Sequence, residues 1–320
     1  MDVLFVAYPI ESFKVYKDTT YVMMREAQRR GHVVWLTTPQ ELHWQSGQHV
    51  QAKVQKLHLL DVPANENTTE WVEVKATTTL SLHGFGAVLM RADPPFDSEY
   101  FYATHLLQQA EREGAKVFNS PRALREHPEK LAIMECADLI SPTLVTRQAE
   151  DIREFHRQHG DIILKPLDGM GGMGIFRVRS DGLNLGGIIE TLNQGGAQSV
   201  MVQRFIPEID RGDKRVLVID GEVVPQCLAR IPQGGEVRGN LAAGGKGVAR
   251  PVSDSDVQIA ETVALRLKGR GLLLMGLDII GEYLTEINVT SPTCFREIMD
   301  QTGCDVGALF WDGLERSLHT

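Results

Sequence analysis

The chain has 320 residues, 42% of them hydrophobic and 23% charged, which is enough for two or three packed units around a sizeable core. Its 33 Lys and Arg against 42 Asp and Glu give a net charge of -9, which argues against nonspecific nucleic-acid binding because that needs a basic surface. No apolar run approaches the roughly 20 residues of a membrane-spanning helix, and Cys136, Cys227, Cys294 and Cys304 form no Cys-x-x-Cys pair, so a zinc site is not expected and a reducing cytoplasm is the simplest setting.

Residues 3–7 are an apolar run with no basic leader and read as a first β-strand rather than a signal peptide. Residues 19–30 read as a helix stopped by Gly31, and residues 32–36 as a second strand. A third strand at residues 87–90 leads into the turn Ala92-Asp-Pro-Pro95. A helix at residues 99–113 is stopped by Gly114, and residues 116–119 form a fourth strand. Strands alternating with helices indicate a parallel α/β sheet, in which ligands sit at the carboxyl ends of strands. Arg91 lies just past the third strand, so it is open to two readings, a ligand contact or a surface ion pair.

A second unit begins near Glu129, with residues 129–136 reading as helical. A short strand at residues 161–166 runs into Asp168-Gly169-Met-Gly171-Gly172-Met-Gly174, and residues 175–178 form the strand that follows. This strand-turn-strand context differs from a Walker loop, which opens a helix and carries Gly-Lys-Ser/Thr, and from a dinucleotide fingerprint. A glycine-rich hairpin can still cover phosphates with backbone N–H groups, because only glycine permits so close an approach. Lys165 ends an apolar strand, where a lysine is costly unless it is paired or bound to an anion. Lys130, just after Pro128-Glu129, reads by itself as a solvated helix lysine.

Residues 200–206 are a further strand, and residues 215–219 and 222–229 form a hairpin around Asp220-Gly221. Residues 231–247 have no apolar period and carry Gly234, Gly235, Gly239, Gly244, Gly245 and Gly247. So long a loop inside a compact domain is a functional lid or a disordered segment, and Arg238 and Lys246 favour a lid over anionic ligands. Residues 253–269 read as a helix. In the β-branched run that follows, Glu286 and Asn288 are two apart, so their side chains leave one strand face. A carboxylate and an amide oxygen together are hard ligands of the kind magnesium takes alongside substrate phosphates. Cys294, just beyond, has no evident His partner and reads as structural.

Taken together, these blocks resemble the ATP-grasp superfamily, and within it the bacterial glutathione synthetase family. The resemblance is carried by Ile163-Leu-Lys165-Pro-Leu-Asp-Gly-Met-Gly-Gly172, Gly212-Asp-Lys-Arg-Val216, Cys227-Leu-Ala-Arg230-Ile-Pro232, Gly239-Asn-Leu-Ala-Ala-Gly-Gly245, Gly276-Leu-Asp278 and Leu284-Thr-Glu-Ile-Asn-Val-Thr-Ser-Pro-Thr293. In the first third it is carried by Lys17-Asp18-Thr-Thr20 and by Met90-Arg91 through Asp93-Pro-Pro-Phe-Asp97. Each block is weak alone; their order and spacing over nearly the whole chain are specific.

The resemblance implies an α/β and α+β fold, in which an N-terminal parallel α/β (pre-ATP-grasp) domain precedes a two-lobed ATP-grasp domain. Residues 1–129 would form the substrate-binding domain, 130–205 the central lobe, and 206–320 the C-terminal lobe with a lid loop at 231–246. Lys130 and Lys165 would hold the ATP phosphates, with Gly169, Gly171 and Gly172 of the hairpin covering them. Gln203, Arg204, Phe205 and Ile206 would receive adenine through their backbone, and Asp213 the ribose. Asp278, Glu286 and Asn288 would bind two magnesium ions, with manganese as a possible substitute. Arg215 and Arg230 would stabilise the transferring phosphoryl group and the acyl intermediate. Asp18, Arg91, Ser291, Pro292 and Thr293 would hold the peptide substrates, and Arg238, Gly239 and Asn240 belong to the lid. The implied reaction joins γ-glutamylcysteine to glycine with ATP through an acyl phosphate, in a cytoplasmic homotetramer with no nucleic-acid or membrane partner. Two alternatives stay open, another ATP-grasp carboxylate–amine ligase of the glutamate-adding or D-alanine type, and a non-catalytic nucleotide-binding relative.

The chain departs from the expected pattern at Ala92, where a basic residue is expected, and at Val237 and Lys246, where threonine and arginine are commoner. One geometric check constrains the metal residues. A clean two-residue turn at Gly281-Glu282 would pair Asp278 with Thr285 and turn it away from the face of Glu286. Asp278 can join that face only through a three-residue loop or one bulge, so an irregular hairpin is expected there.

Overall fold

The computed structural model describes residues 1–319. The first sheet is built on the apolar strand β1 (Asp2–Val6), buried from Val3 onward. It pairs in parallel with β2 (Val33–Thr37) and β6 (Ala87–Met90), and β6 with β7 (Val117–Phe118). The expected parallel core is therefore present. It is extended past β2 by antiparallel strands that residue patterning did not indicate, β3 (Leu42–His43), β4 (Gln51–Leu59) and β5 (Val72–Ser81). Helix α1 (Thr19–Arg29) starts at Asp18, whose carboxylate accepts from the Tyr21 amide at 2.8 Å. Helix α2 (Ser98–Arg112) starts the same way at Asp97, and a short α3 (Pro121–Glu126) leads out of the sheet.

The second sheet is antiparallel, in the order β10 (Phe176–Val178), β9 (Ile162–Pro166), β11 (Val200–Arg204), β8 (Thr143–Thr146). Helices α4 (Ala149–His159) and α5 (Leu185–Asn193) close its own small core, which includes Ile152, Phe155, Leu164, Ile189 and Val202. Strands β9 and β10 pair as the expected hairpin, with Phe176 opposite Leu164. Gly171, Gly172 and Gly174 in its turn have φ of 61°, 83° and 69°, which a side chain would strain. Residues 129–136 differ from the expected α-helix: only Leu131–Cys136 is helical, as a 3₁₀ segment.

The third sheet runs β15 (Lys246–Pro251), β14 (Gln226–Ile231), β12 (Asp213–Ile219), β16 (Leu274–Ile280), β17 (Tyr283–Asn288), with β13 (Glu222–Val223) hairpinned onto β12. The Asp220-Gly221 turn is present, but the expected single strand after it is broken between Val223 and Gln226, where Pro225 has no N–H to give a ladder. Helix α6 (Asp254–Arg266) packs on this sheet and begins with a Ser253–Asp256 capping box. Helices α7 (Phe295–Thr302) and α8 (Val306–His319) return to the first domain, where the Trp311 indole N–H donates to the Met23 carbonyl at 2.8 Å.

The hairpin β16–β17 has the expected irregularity. Its turn is the two residues Gly281 and Glu282, but the register shifts after Asp278, which pairs with Glu286 while Ile279 pairs with Leu284. Thr285 is the extra, bulged residue, and its hydroxyl donates to the Asp278 carbonyl at 3.0 Å.

Candidate active site

The second and third sheets face each other across a cleft. A slot is lined by Ile163, Lys165, Ile175, Gln203, Arg204, Phe205, Ile206, Ile209 and Ile280, with Asp213, Val237, Arg238, Gly239, Asn240 and Glu286 around it. It is open to solvent on one side, and its apolar walls suit a flat ring. At the end of β11, the amides of Arg204 and Phe205 donate to Pro142 and Asp161 carbonyls, both at 2.9 Å, so they are not free to meet adenine. Gln203 is buried and donates to the Thr143 hydroxyl at 3.1 Å.

Asp213 stands at the inner end of this slot. One of its carboxylate oxygens accepts from Arg230; the other, Oδ1, is buried without a partner. A buried acceptor left unmatched is costly, which marks it as a place for a ligand donor. Burial pushes the Asp213 carboxyl up to about 7, against the lowering effect of Arg230.

Beyond Asp213 lies a set of opposed charges. Arg215 donates to both oxygens of Asp278, at 2.6 and 3.2 Å, and Arg230 reaches Asp278 at 2.9 Å. Lys165 lies 3.1 Å and Lys130 3.9 Å from Glu286. Burial opposes ionisation of Asp278 and Glu286, but Arg215 and Arg230 hold the first, and Lys165 and Lys130 the second, below the usual carboxylate range. Lys130 is only 4% exposed, far from the solvated lysine its local sequence suggests. Its ammonium donates to the Gly169 carbonyl at 2.6 Å and to Glu129 at 3.0 Å, tying the glycine hairpin to the acidic strand.

The bulge puts Asp278 directly across from Glu286, and Asn288 leaves the same face two residues on. The Asn288 amide nitrogen donates to the Gly276 carbonyl at 3.2 Å, which leaves its oxygen turned to accept. Three hard oxygen donors thus share one face. Among the described residues, no three His, Cys, Asp or Glu side chains converge as a ready-made metal cluster. A metal at Asp278, Glu286 and Asn288 must therefore draw part of its shell from ligand oxygens, as magnesium does.

A second space adjoins the first and is lined by Asp93, Pro94, Glu129, Arg215, Arg230, Asn240, Asp278, Glu286, Asn288, Ser291, Thr293 and Cys294. Asp18 and Arg91 line neither space. Asp18 spends its oxygens on the Tyr21 amide and the Tyr8 hydroxyl. Arg91 is buried and forms no surface ion pair; it donates to the Pro292 carbonyl at 2.9 Å and the Thr20 hydroxyl at 3.3 Å. Arg91 thus braces the Ser291–Thr293 segment through Pro292, and the Ser291 hydroxyl donates to Asp93, whereas Asp18 does not touch that segment.

The lid folds over the glycine hairpin. Arg238 donates to the Gly172 carbonyl at 3.3 Å, and a Cβ on Gly172 would lie 2.7 Å from the Asn240 side chain. The lid is the connection of a hairpin, since Ile231 pairs with Lys246. The sequence reading gave Glu129 and Asp93 no role and took Cys294 as structural. Glu129 is pushed up to about 8 by burial and by the Glu286 carboxylate beside it. Its place next to Lys130 was the available signal. Cys294 directly follows the Ser291–Thr293 segment, and burial pushes its thiol up, which opposes a thiolate nucleophile.

A nucleotide-sized slot between two sheet-bearing lobes, closed by a glycine hairpin and a lid and ending at buried lysines and carboxylates, defines an ATP-grasp enzyme on an N-terminal α/β domain. Solved structures agree on the fold: the D-cycloserine synthetase DcsG superposes with a TM-score of 0.69 at 14% identity over 99% of each chain. The ATP-grasp ligase PsnB, solved with minimal precursor, Mg and ADP, gives 0.64 at 18% identity over 100% of this chain and 98% of its own. The family model for the N-terminal domain of prokaryotic glutathione synthetase matches residues 1–125, and that for its ATP-grasp domain matches residues 129–303. Glutathione synthetase of Neisseria meningitidis serogroup B is 54% identical over 314 residues, 98% of both chains. That of Ralstonia nicotianae is 53% identical over 317 residues, 99% of this chain and 96% of its own. The chain belongs to the prokaryotic glutathione synthetase family.

Proposed function

We propose that the protein joins γ-glutamylcysteine to glycine, converting ATP to ADP and phosphate and releasing glutathione. The observation that carries this reading is the charge cluster at the junction of the two spaces, where Lys130, Lys165, Arg215 and Arg230 surround the facing carboxylates Asp278 and Glu286. Adenine lies in the slot against Ile163, Ile175 and Ile280, with the Ile206 amide as the linker donor left open. The orphan oxygen of Asp213 accepts a ribose hydroxyl. Lys130, Lys165 and the amides of the glycine hairpin take the phosphates.

A carboxylate is a poor acyl donor, and phosphorylation gives it a good leaving group. The cysteinyl carboxylate attacks the γ-phosphorus and ADP leaves, forming an acyl phosphate. The glycine amine then attacks the acyl carbon, loses a proton, and expels phosphate. Arg215 and Arg230 face the transferring group and neutralise charge that develops on its oxygens. Magnesium, held by Asp278, Glu286 and Asn288 with phosphate oxygens, would supply charge neutralisation at the phosphates. The lid keeps water from the acyl phosphate. Ser291 and Thr293, on a segment braced by Arg91 and Asp93, position the peptide. By family resemblance the working form is a cytoplasmic homotetramer.

The test is phosphate release with ATP, magnesium and γ-glutamylcysteine, with and without glycine, alongside other acid and amine pairs. Sustained release that requires both γ-glutamylcysteine and glycine, with glutathione formed in equal amount, is expected. No release with that pair overturns the reading.

A further inference from the structure

Lys214 lies between two residues of the cleft, Asp213 and Arg215, but on the opposite face of β12, because successive side chains of a strand alternate. It is 8% exposed, and its ammonium has two partners behind the site. One is the Asp256 carboxylate; the other is the carbonyl of Gly281, 2.9 Å away, at the tip of the β16–β17 turn. Asp256 is itself 2% exposed and fixed by Ser253, whose amide and hydroxyl donate to its other oxygen at 3.2 and 2.7 Å. The start of α6 is thus linked through one buried ammonium to the turn of the hairpin that carries Asp278 and Glu286.

That hairpin needs such a hold. Its register is irregular, with Thr285 looped out between the pairs Asp278–Glu286 and Ile279–Leu284. The bulge leaves Thr285 without a ladder partner and disrupts the pairing locally, between the acidic pair and the turn. The outer strand is held by Leu284 and Ile287 amides donating to Leu139 and Glu129 carbonyls, at 2.9 and 3.0 Å. The Thr285 hydroxyl secures the Asp278 carbonyl from within. Among the described residues, the tip is held by Lys214, and the Glu208 side chain packs beside Gly281, where a Cβ would lie 3.2 Å from it.

We infer that Lys214, with Asp256, is a positioning residue for the acidic pair: it clamps the hairpin tip so that Asp278 and Glu286 stay opposed across the bulge and can share a divalent cation. The inference rests on the proposed metal-dependent nucleotide site. Removing groups that hydrogen-bond metal ligands directly alters metal affinity by roughly ten- to a hundredfold; Lys214 acts one step further out, through Gly281, so the low end of that range is expected.

The test measures ADP binding by titration calorimetry on the full chain, with and without magnesium, for wild type, Lys214→Met, Lys214→Arg and Asp256→Asn. Lys214→Met is expected to lose roughly tenfold of the magnesium-dependent gain in ADP affinity, with ADP affinity in the absence of metal changed little. Lys214→Arg, which keeps a cation and several donors, is expected to restore much of that gain. If Lys214→Met does not fold, Asp256→Asn reads the same coupling with the lysine in place. A purely structural role would lower the melting temperature of these variants and leave the magnesium-dependent gain at the wild-type value; that result overturns the inference. Wild-type turnover with γ-glutamylcysteine and glycine tests the ligase reading separately, so failure of one is distinguishable from failure of the other.

Discussion

Glu286 joins every part of the proposed chemistry, since it touches Lys165, lies within reach of Lys130, and pairs across the strand with Asp278. Glu286→Gln keeps its shape and removes its charge. A charge that matters most when phosphoryl oxygens are in transit changes turnover more than ground-state binding. Turnover is expected to fall by about a hundredfold, while calorimetric affinity for ADP falls far less; near-wild-type turnover would remove Glu286 from the metal site. A different carboxylate reports on stability. Burial pushes Glu111, on the inner side of α2, up to about 7 from its ordinary 4.5, against the lowering effects of Arg125 and Ser120. The folded state therefore holds a proton that the unfolded chain has released, and this contribution is present below about 4.5 and lost as pH rises through about 7. Glu111→Gln is expected to raise the melting temperature relative to wild type at pH 8 and to lose that advantage at pH 4. A difference independent of pH would contradict it.

At the scale of elements, the lid depends on close backbone approach. A Cβ on Gly239 would lie 2.3 Å from the Arg230 carbonyl oxygen, and one on Gly245 2.0 Å from the Gly239 carbonyl oxygen. Neither contact can be relieved by turning a side chain, because the obstructing atoms are backbone. Gly239→Ala should leave the three sheets intact and hold the lid off the cleft. Water then reaches the acyl phosphate, so phosphate release should exceed glutathione formation, whereas the two are equal in wild type. Equal yields in the variant would show that the lid does not guard the intermediate. The glycines of this loop mark it in the sequence as a candidate lid; that its last residue starts β15 was not legible, because Lys246 pairs with Ile231 only through the hairpin.

At the scale of the molecule, the first and third sheets share buried apolar clusters, and one buried polar side chain also crosses between them. Asn119, past β7, donates to the Leu274 and Val289 carbonyls at 2.8 and 2.7 Å and accepts from the Leu274 amide at 3.0 Å. It ties the start of β16 to the end of β17, next to Asn288 and Ser291. Asn119→Ala would strand three buried backbone groups, at a cost of about 3 kcal/mol or more. Denaturant unfolding should show this loss, and a change under about 0.5 kcal/mol would mean that water or neighbours replace the side chain.

Much of the fold is visible in the amino-acid order because it rests on short-range chemistry. Apolar runs mark β1 and β6, Gly31 and Gly114 stop helices, and Asp220-Gly221 turns a hairpin. The face shared by Glu286 and Asn288 follows from strand alternation alone, and the need for an irregular hairpin follows from counting residues around Gly281. Family resemblance then joined these pieces into an enzyme. Other features were out of reach. Strand β5 is exposed from Glu73 to Thr79, so it shows no alternation to read. Lys130 looks solvated until Gly169 and Glu286 close around it. The orphan oxygen of Asp213, the bracing role of Arg91 and the tip clamp of Lys214 depend on partners brought near only by the packed chain. Periodicity and turn chemistry act over a few residues, whereas burial and charge pairing are set by segments far apart in sequence, and for these residues only the folded arrangement decides the role.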